Sequence, residues 1–229
     1  ILEEAGVTPP SDWQEIKEAA EKLTTKDRSG FLMCGMEGEQ GAFQILPWSL
    51  SAGGTVDAID GLPWTETFEF FSELLKSGSM SANCINLTQT DVAREFNEGK
   101  TAKMQNGPWV LPMLKEAGTD YGIVSLSENG SPAAVLGGEN ITIIKGKNAE
   151  GSLVFLNYCM ENEELLKFCK SASILPAKIS AAKEMAAEDE DMKVFEEQMN
   201  YAVSRTSVPQ WETIAQKLTD RMYSLVQEN

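Results

Sequence analysis

Apolar stripes at helical spacing recur along this chain, and a glycine or proline cuts each one short. Trp13, Ile16, Ala20 and Leu23 share one helix face. Asp12 is placed to cap that helix, with Glu15 as the third-residue partner of a capping box. A second stripe, over 43–52, is closed by Gly53-Gly54, and Trp64, Phe68, Phe71 and Leu75 form a third that stops at Gly78. Between them lie short apolar or alternating runs at 31–34, 101–105, 121–126 and 141–144, which read as strands. Short helices interleaved with separated strands give an α/β layout in which helices cover a small sheet.

Further along, a helix over 90–97 stops at Gly99, and the turn Asn106-Gly107-Pro108 opens another that ends at Gly118. The clearest linker is Ser127-Glu128-Asn129-Gly130-Ser131-Pro132. Helices at 149–160 and 163–172 are expected to be capped by Asn148 and Asn162. Ile174-Leu175-Pro176 then breaks the pattern. Met192, Phe195, Met199 and Ala202 line one helix, and Ile214, Leu218, Met222 and Leu225 the last. The charge run from Glu188 to Asp191 reads as a solvated helix start. The opening Ile1-Leu2-Glu3-Glu4-Ala5-Gly6 reads as a helix tail with a closing glycine, so the chain looks like part of a longer one.

Composition excludes several chemistries. There is no histidine, which removes Ser-His-Asp and Cys-His catalysis and any zinc site that needs imidazole. Nothing points to a cofactor or a metal. The net charge of −16 repels phosphate backbones and argues against nucleic acid as a partner. No apolar run approaches the ~20 residues of a membrane span. Cys34, Cys84, Cys159 and Cys169 are scattered without a C-x-x-C pair, and read as four unlinked thiols.

Trp109 is the most informative residue, since it stands where a strand hands over to a helix. Ligands of α/β proteins bind at the carboxyl ends of strands. A Trp there offers a flat apolar face to a sugar ring, although a core position under the helix would also suit it. Phe43 and Trp211 carry the same reading, and Trp48 suits either core or site. Gly137-Gly138-Glu139 lacks the spacing of a phosphate cradle. It is either a tight bend or a backbone surface that a ligand approaches closely.

Several phrases in order resemble the family 1 extracellular solute-binding proteins, the maltose-binding-protein-like receptors of sugar ABC importers. Gly6-Val7-Thr8-Pro9-Pro10-Ser11-Asp12-Trp13-Gln14-Glu15 is similar to their G-x-x-P-P-x-T-W-x-E stretch, with Asp12 for Thr. The run from Phe96 to Trp109 resembles F-x-x-G-K-x-A-M-x-x-N-G-P-W, with Lys103 where Met is usual and Met104 one place later. Leu136-Gly137-Gly138-Glu139-Asn140, Ile174-Leu175-Pro176-Ala177, Ser204-Arg205 and Pro209-Gln210-Trp211 follow in the family's order. The resemblance implies a type II periplasmic-binding-protein-like α/β fold, mostly the C-terminal lobe with part of the N-terminal lobe. Residues 1–127 and 176–229 would form the C-terminal lobe, and 128–175 the returning segment of the other. It implies a non-enzymatic receptor that closes on a sugar or oligosaccharide and delivers it to ABC permease subunits in the membrane. Trp109, Trp211, Phe43, Trp48, Gly137, Gly138 and Glu139 would line the ligand site. The implied place is extracytoplasmic, periplasmic or lipoprotein-anchored at the cell surface, with signal and anchor outside these residues. A carbohydrate-active enzyme, or a signalling or adhesion module on the same fold, are the alternatives.

Overall fold

Asp12 starts the first helix as its sequence predicts: its carboxylate accepts the Glu15 backbone N–H at 2.9 Å. Helix α1 (Trp13–Leu23) then buries Trp13, Ile16, Ala19, Ala20 and Leu23. The computed structural model describes residues 1–10, 12–58, 60–128, 131–146, 148–205 and 208–229. Beneath α1 runs the extended segment 29–34. It passes so close that a Cβ on Gly30 would lie 1.8 Å from the Ala20 carbonyl oxygen, so only glycine fits.

That segment is flanked on both sides by extended chain running parallel to it. Leu32 donates to the Lys103 carbonyl and accepts from the Gln105 N–H, both at 3.0 Å. On its other side, Gly30 and Phe31 both donate to the Ser79 carbonyl at 3.0 Å. The expected strands 31–34 and 101–105 are thus reduced to extended segments joined by isolated parallel bridges, Ser29 to Thr101 and Leu32 to Met104, with Phe31 bridged to Met80 on the other side. Phe31, Leu32, Met33 and Cys34 are almost wholly buried, because helices cover both faces.

Helix α2 (Glu39–Ser51) begins four residues before the expected 43, at Gly38 with its positive φ of 94°. Helix α3 (Leu62–Lys76) buries Trp64, Phe68 and Phe71 as predicted, and Phe70 and Leu74 besides. Helix α4 (Gln89–Asn97) starts on a full capping box of Thr88 and Asp91. After a 3-10 turn over Pro108–Val110 comes α5 (Leu111–Ala117), closed by left-handed Gly118. Short strands β1 (Ser127–Glu128) and β2 (Ser131–Pro132) pair antiparallel. They flank Asn129 and Gly130, which lie outside the described residues of the expected linker. Strand β3 (Ala134–Leu136) follows, then α6 (Ala149–Cys159), α7 (Asn162–Ala172), α8 (Ile179–Glu188) and α9 (Glu190–Gln198). Strand β4 (Ala202–Ser204) pairs parallel with β3, and α10 (Trp211–Glu228) ends the chain.

The main core joins α1, α2, α3 and the 31–34 segment to Trp211, Ile214, Leu218 and Met222 of α10. Both ends of the chain thus meet in one core. A second cluster joins Leu111 and Leu114 to Leu165, Leu166, Cys169, Met185 and Met192. No helix among the described residues is long and apolar enough to cross a membrane. The four cysteines are free thiols. Burial pushes Cys84 up to about 12 and also raises Cys34, so neither is a ready nucleophile.

Several local expectations are corrected. Residues 121–126 form no ladder; Tyr121 and Ile123 lean on the second helical cluster instead of on a neighbouring strand. Residues 141–144 are not a strand either, and Ile141 and Ile144 are 71% and 77% exposed. An apolar run forms a strand only with an edge to pair with. Glu161, not Asn162, holds the cap position of α7, and Ala202 leaves the helical stripe for β4. The run 188–191 is not simply solvated. Asp189 caps α9, Lys115 sits 3.2 Å from Asp189 and 3.1 Å from Asp191, and the Tyr121 hydroxyl donates to Asp191 at 2.7 Å. These bonds tie α9 to α5. Burial first, and then the Asp191 bond, pushes the Tyr121 phenol up to about 12.

Candidate functional site

The segments 29–34 and 101–105 run in parallel, so their carboxyl ends open on the same side. One leads into α2, the other into Asn106-Gly107-Pro108-Trp109. Asn106 fixes that turn by donating to the Gln89 carbonyl at 2.8 Å and accepting the Gly107 N–H at 3.0 Å. The Trp109 indole folds back over Gly107; a Cβ there would stand 2.1 Å from the ring. Trp109 is 38% exposed, and its ring centroid is 6.0 Å from that of half-buried Phe43, tilted by 50°. The two make a bent aromatic face open to solvent.

An ionic knot backs this face. The Arg205 guanidinium lies 4.7 Å above the Phe43 ring and 5.8 Å from the Trp211 ring, within cation–π range. Its Nε donates to Glu39 Oε1 at 2.5 Å and its Nη1 to the Leu136 carbonyl at 2.5 Å. The Trp211 indole N–H donates to Glu39 Oε2 at 2.9 Å. Arg205 therefore joins α2, β3 and the start of α10. Gly137 continues from Leu136, and a Cβ on it would touch the Phe43 ring at 3.5 Å.

The structure thus brings together Phe43, Trp109 and Gly137, whereas Trp211, expected to line the site, is 7% exposed, belongs to the main core and meets the face only through Arg205 and Glu39. Gly138 and Glu139 are exposed just beyond. Trp48 is a core residue, not part of the face. It is 1% exposed, packs on Trp13, Phe31, Phe70 and Phe71, and its indole N–H donates to Gln105 at 2.6 Å. Helix α2 explains this: Phe43 follows Glu39 by one turn near the open end, and Trp48 lies more than a turn deeper. Sequence reasoning did not single out Glu39 or Arg205 as site residues. The Glu39–Phe43 spacing, one helical turn, was a readable signal for Glu39.

A concavity of about 440 Å³ lies apart from this face, between α1 and α3, lined by Trp13, Gln14, Lys17, Glu66, Glu69 and Glu73 among others. Lys17 donates to Glu73 across it at 2.6 Å, and its rings, Trp13 and Phe70, are 7% exposed. It is a groove between two helices with its aromatic groups withdrawn. The face at Trp109 instead offers exposed apolar surface with charged groups at its edge. Among the described residues, no cluster of acidic and cysteine groups could hold a metal ion.

In fold, the chain superposes over 99% of its length on a solute-binding protein of an ABC transporter from Thermotoga lettingae, solved with α-D-tagatose bound. The TM-score is 0.87 at 23% identity, and 63% of that chain is covered. The fold is that of the type II periplasmic binding proteins. The chain belongs to the bacterial extracellular solute-binding proteins, whose family pattern matches residues 1–194. In sequence it is 32% identical over 100 residues to a maltooligosaccharide ABC transporter solute-binding lipoprotein of Streptococcus pneumoniae, across 42% of this chain and 23% of that protein. It is 24% identical over 197 residues to a sn-glycerol-3-phosphate-binding periplasmic protein of Rhizobium meliloti, across 77% of this chain and 44% of that one. The chain thus spans less than half the length of the curated relatives it matches.

Proposed function

We propose that this protein is the extracytoplasmic substrate-binding component of an ABC importer, and that it takes a sugar or oligosaccharide. The observation that carries this is the open aromatic pair Phe43–Trp109 at the carboxyl ends of the parallel segments, edged by Arg205 and Glu39. Sugar rings present apolar C–H faces and polar edges, and such a face answers both. The fold and the names of the two relatives agree with a transport receptor.

In this reading, residues 1–127 and 176–229 belong to one lobe and 128–175 to the other. The core shared by α1–α3 and α10 supports the first assignment, while the second cluster packs Leu165, Leu166 and Cys169 of the returning segment on Leu111, Leu114 and Met185 of the first. Ligand bridges the lobes only when they close, so its binding energy favours closure, and the membrane permease recognises the closed form. No bond in the ligand is made or broken.

Calorimetry of the full chain against mono- and oligosaccharides tests this. The expected result is saturable binding that Trp109→Ala weakens by ~1–3 kcal/mol, the scale of a lost aromatic face, while the unfolding transition stays put. Turnover of a bound oligosaccharide, or no weakening in the variant, would contradict it.

A further inference from the structure

Resting on the sugar-receptor reading, we infer that the site selects an uncharged polyhydroxylated ligand and rejects the same ligand bearing a phosphate or carboxylate. The cation beside the aromatic pair is already neutralised. Arg205 donates to Glu39 at 2.5 Å and to the Leu136 carbonyl at 2.5 Å, and its side chain is only 13% exposed. Glu39 is the outward partner, 52% exposed. What the pair presents to solvent is mainly a carboxylate.

The helix geometry acts in the same direction. Glu39 is the first residue of α2, so its charge already occupies the positive end of that helix. An incoming phosphate would meet neither a free guanidinium nor a free helix end. It would have to shed water next to a fixed negative group, at a large desolvation cost. The net charge of −16 adds long-range repulsion. A neutral sugar meets no such penalty. Its hydroxyls can donate to the remaining lone pairs of the outward-facing Glu39 carboxylate.

The test is tryptophan-fluorescence titration of the full chain with glucose, tagatose and maltotriose, and with glucose 6-phosphate and glycerol 3-phosphate. At least one neutral probe should bind, with the phosphorylated probes about tenfold weaker or worse. Glu39→Gln, which releases Arg205, should narrow that gap by about tenfold. If that variant does not fold, added salt decides on the wild type. Neutral-sugar affinity should be indifferent to salt, and residual phosphate-ester binding should strengthen as repulsion is screened. Phosphate esters binding as tightly as neutral sugars, a Glu39→Gln variant with an unchanged ratio, or phosphate binding that weakens with salt would overturn this inference alone. Binding of no probe at all would overturn the receptor reading with it.

Discussion

Lys103 puts an ammonium group where the family pattern has methionine. Its Nζ donates to the Ile16 carbonyl at 2.6 Å. Burial without a counter-charge lowers its pKa from 10.5 to about 8. The folded state therefore holds this proton less tightly than the unfolded state does. Below about pH 8 both states are charged and the full burial penalty applies. Between about pH 8 and 10.5 the folded state releases the proton first, so stability rises with pH in that window. Lys103→Met should remove the penalty and the slope together. With allowance for partial exposure, the gain at pH 7 is roughly 1–2 kcal/mol. Urea unfolding at pH 7 and pH 9.5 measures both. A variant no more stable than wild type at pH 7 would show that Lys103 is not strained.

Helix α1 and the segment 29–34 depend on contact closer than any side chain allows. Gly30→Ala would drive a methyl into the Ala20 backbone, which cannot yield without moving the helix. We expect a loss of about 3 kcal/mol or more, read by denaturant unfolding, the range in which backbone displacement falls. A loss under about 1 kcal/mol would mean α1 can shift freely. The elements that were legible in the sequence share one trait: their signals are local. The Trp13 and Trp64 stripes, the Asp12 cap and the glycine stops lie within a turn or two of what they determine. The run 141–144 looked like a strand because alternation reveals an apolar face but not whether an edge awaits it. The site divides in the same way. The exposed position of Trp109 was legible from the turn before it. The Glu39–Arg205 pair joins residues 166 positions apart, and no window of sequence contains both.

At the scale of the molecule, a well-formed core stands beside apolar surface that stays open. Ile141, Ile144, Val154 and Phe155 are all at least 66% exposed, and α6 buries none of its residues. Chains of these 229 residues should cover this surface by association, since large apolar patches rarely stay exposed. Sedimentation should show a mass that rises with concentration, and Val154→Glu with Phe155→Glu should hold it at 25.1 kDa. Association unaffected by that double change would place the contact elsewhere. The central claim is that sugar lies on the Phe43–Trp109 face, and the tryptophans can report on it separately. Five indole N–H groups are available to nitrogen-edited NMR: Trp109 from the exposed face, and Trp13, Trp48, Trp64 and Trp211 from the core, Trp211 alone of these bonded to Glu39 at the edge of the face. Titration with a saccharide that binds should move Trp109 most and Trp211 next, and leave Trp48 and Trp64 nearly still. A spectrum in which Trp13 moves and Trp109 does not would put the ligand in the acidic groove between α1 and α3, and would contradict the account.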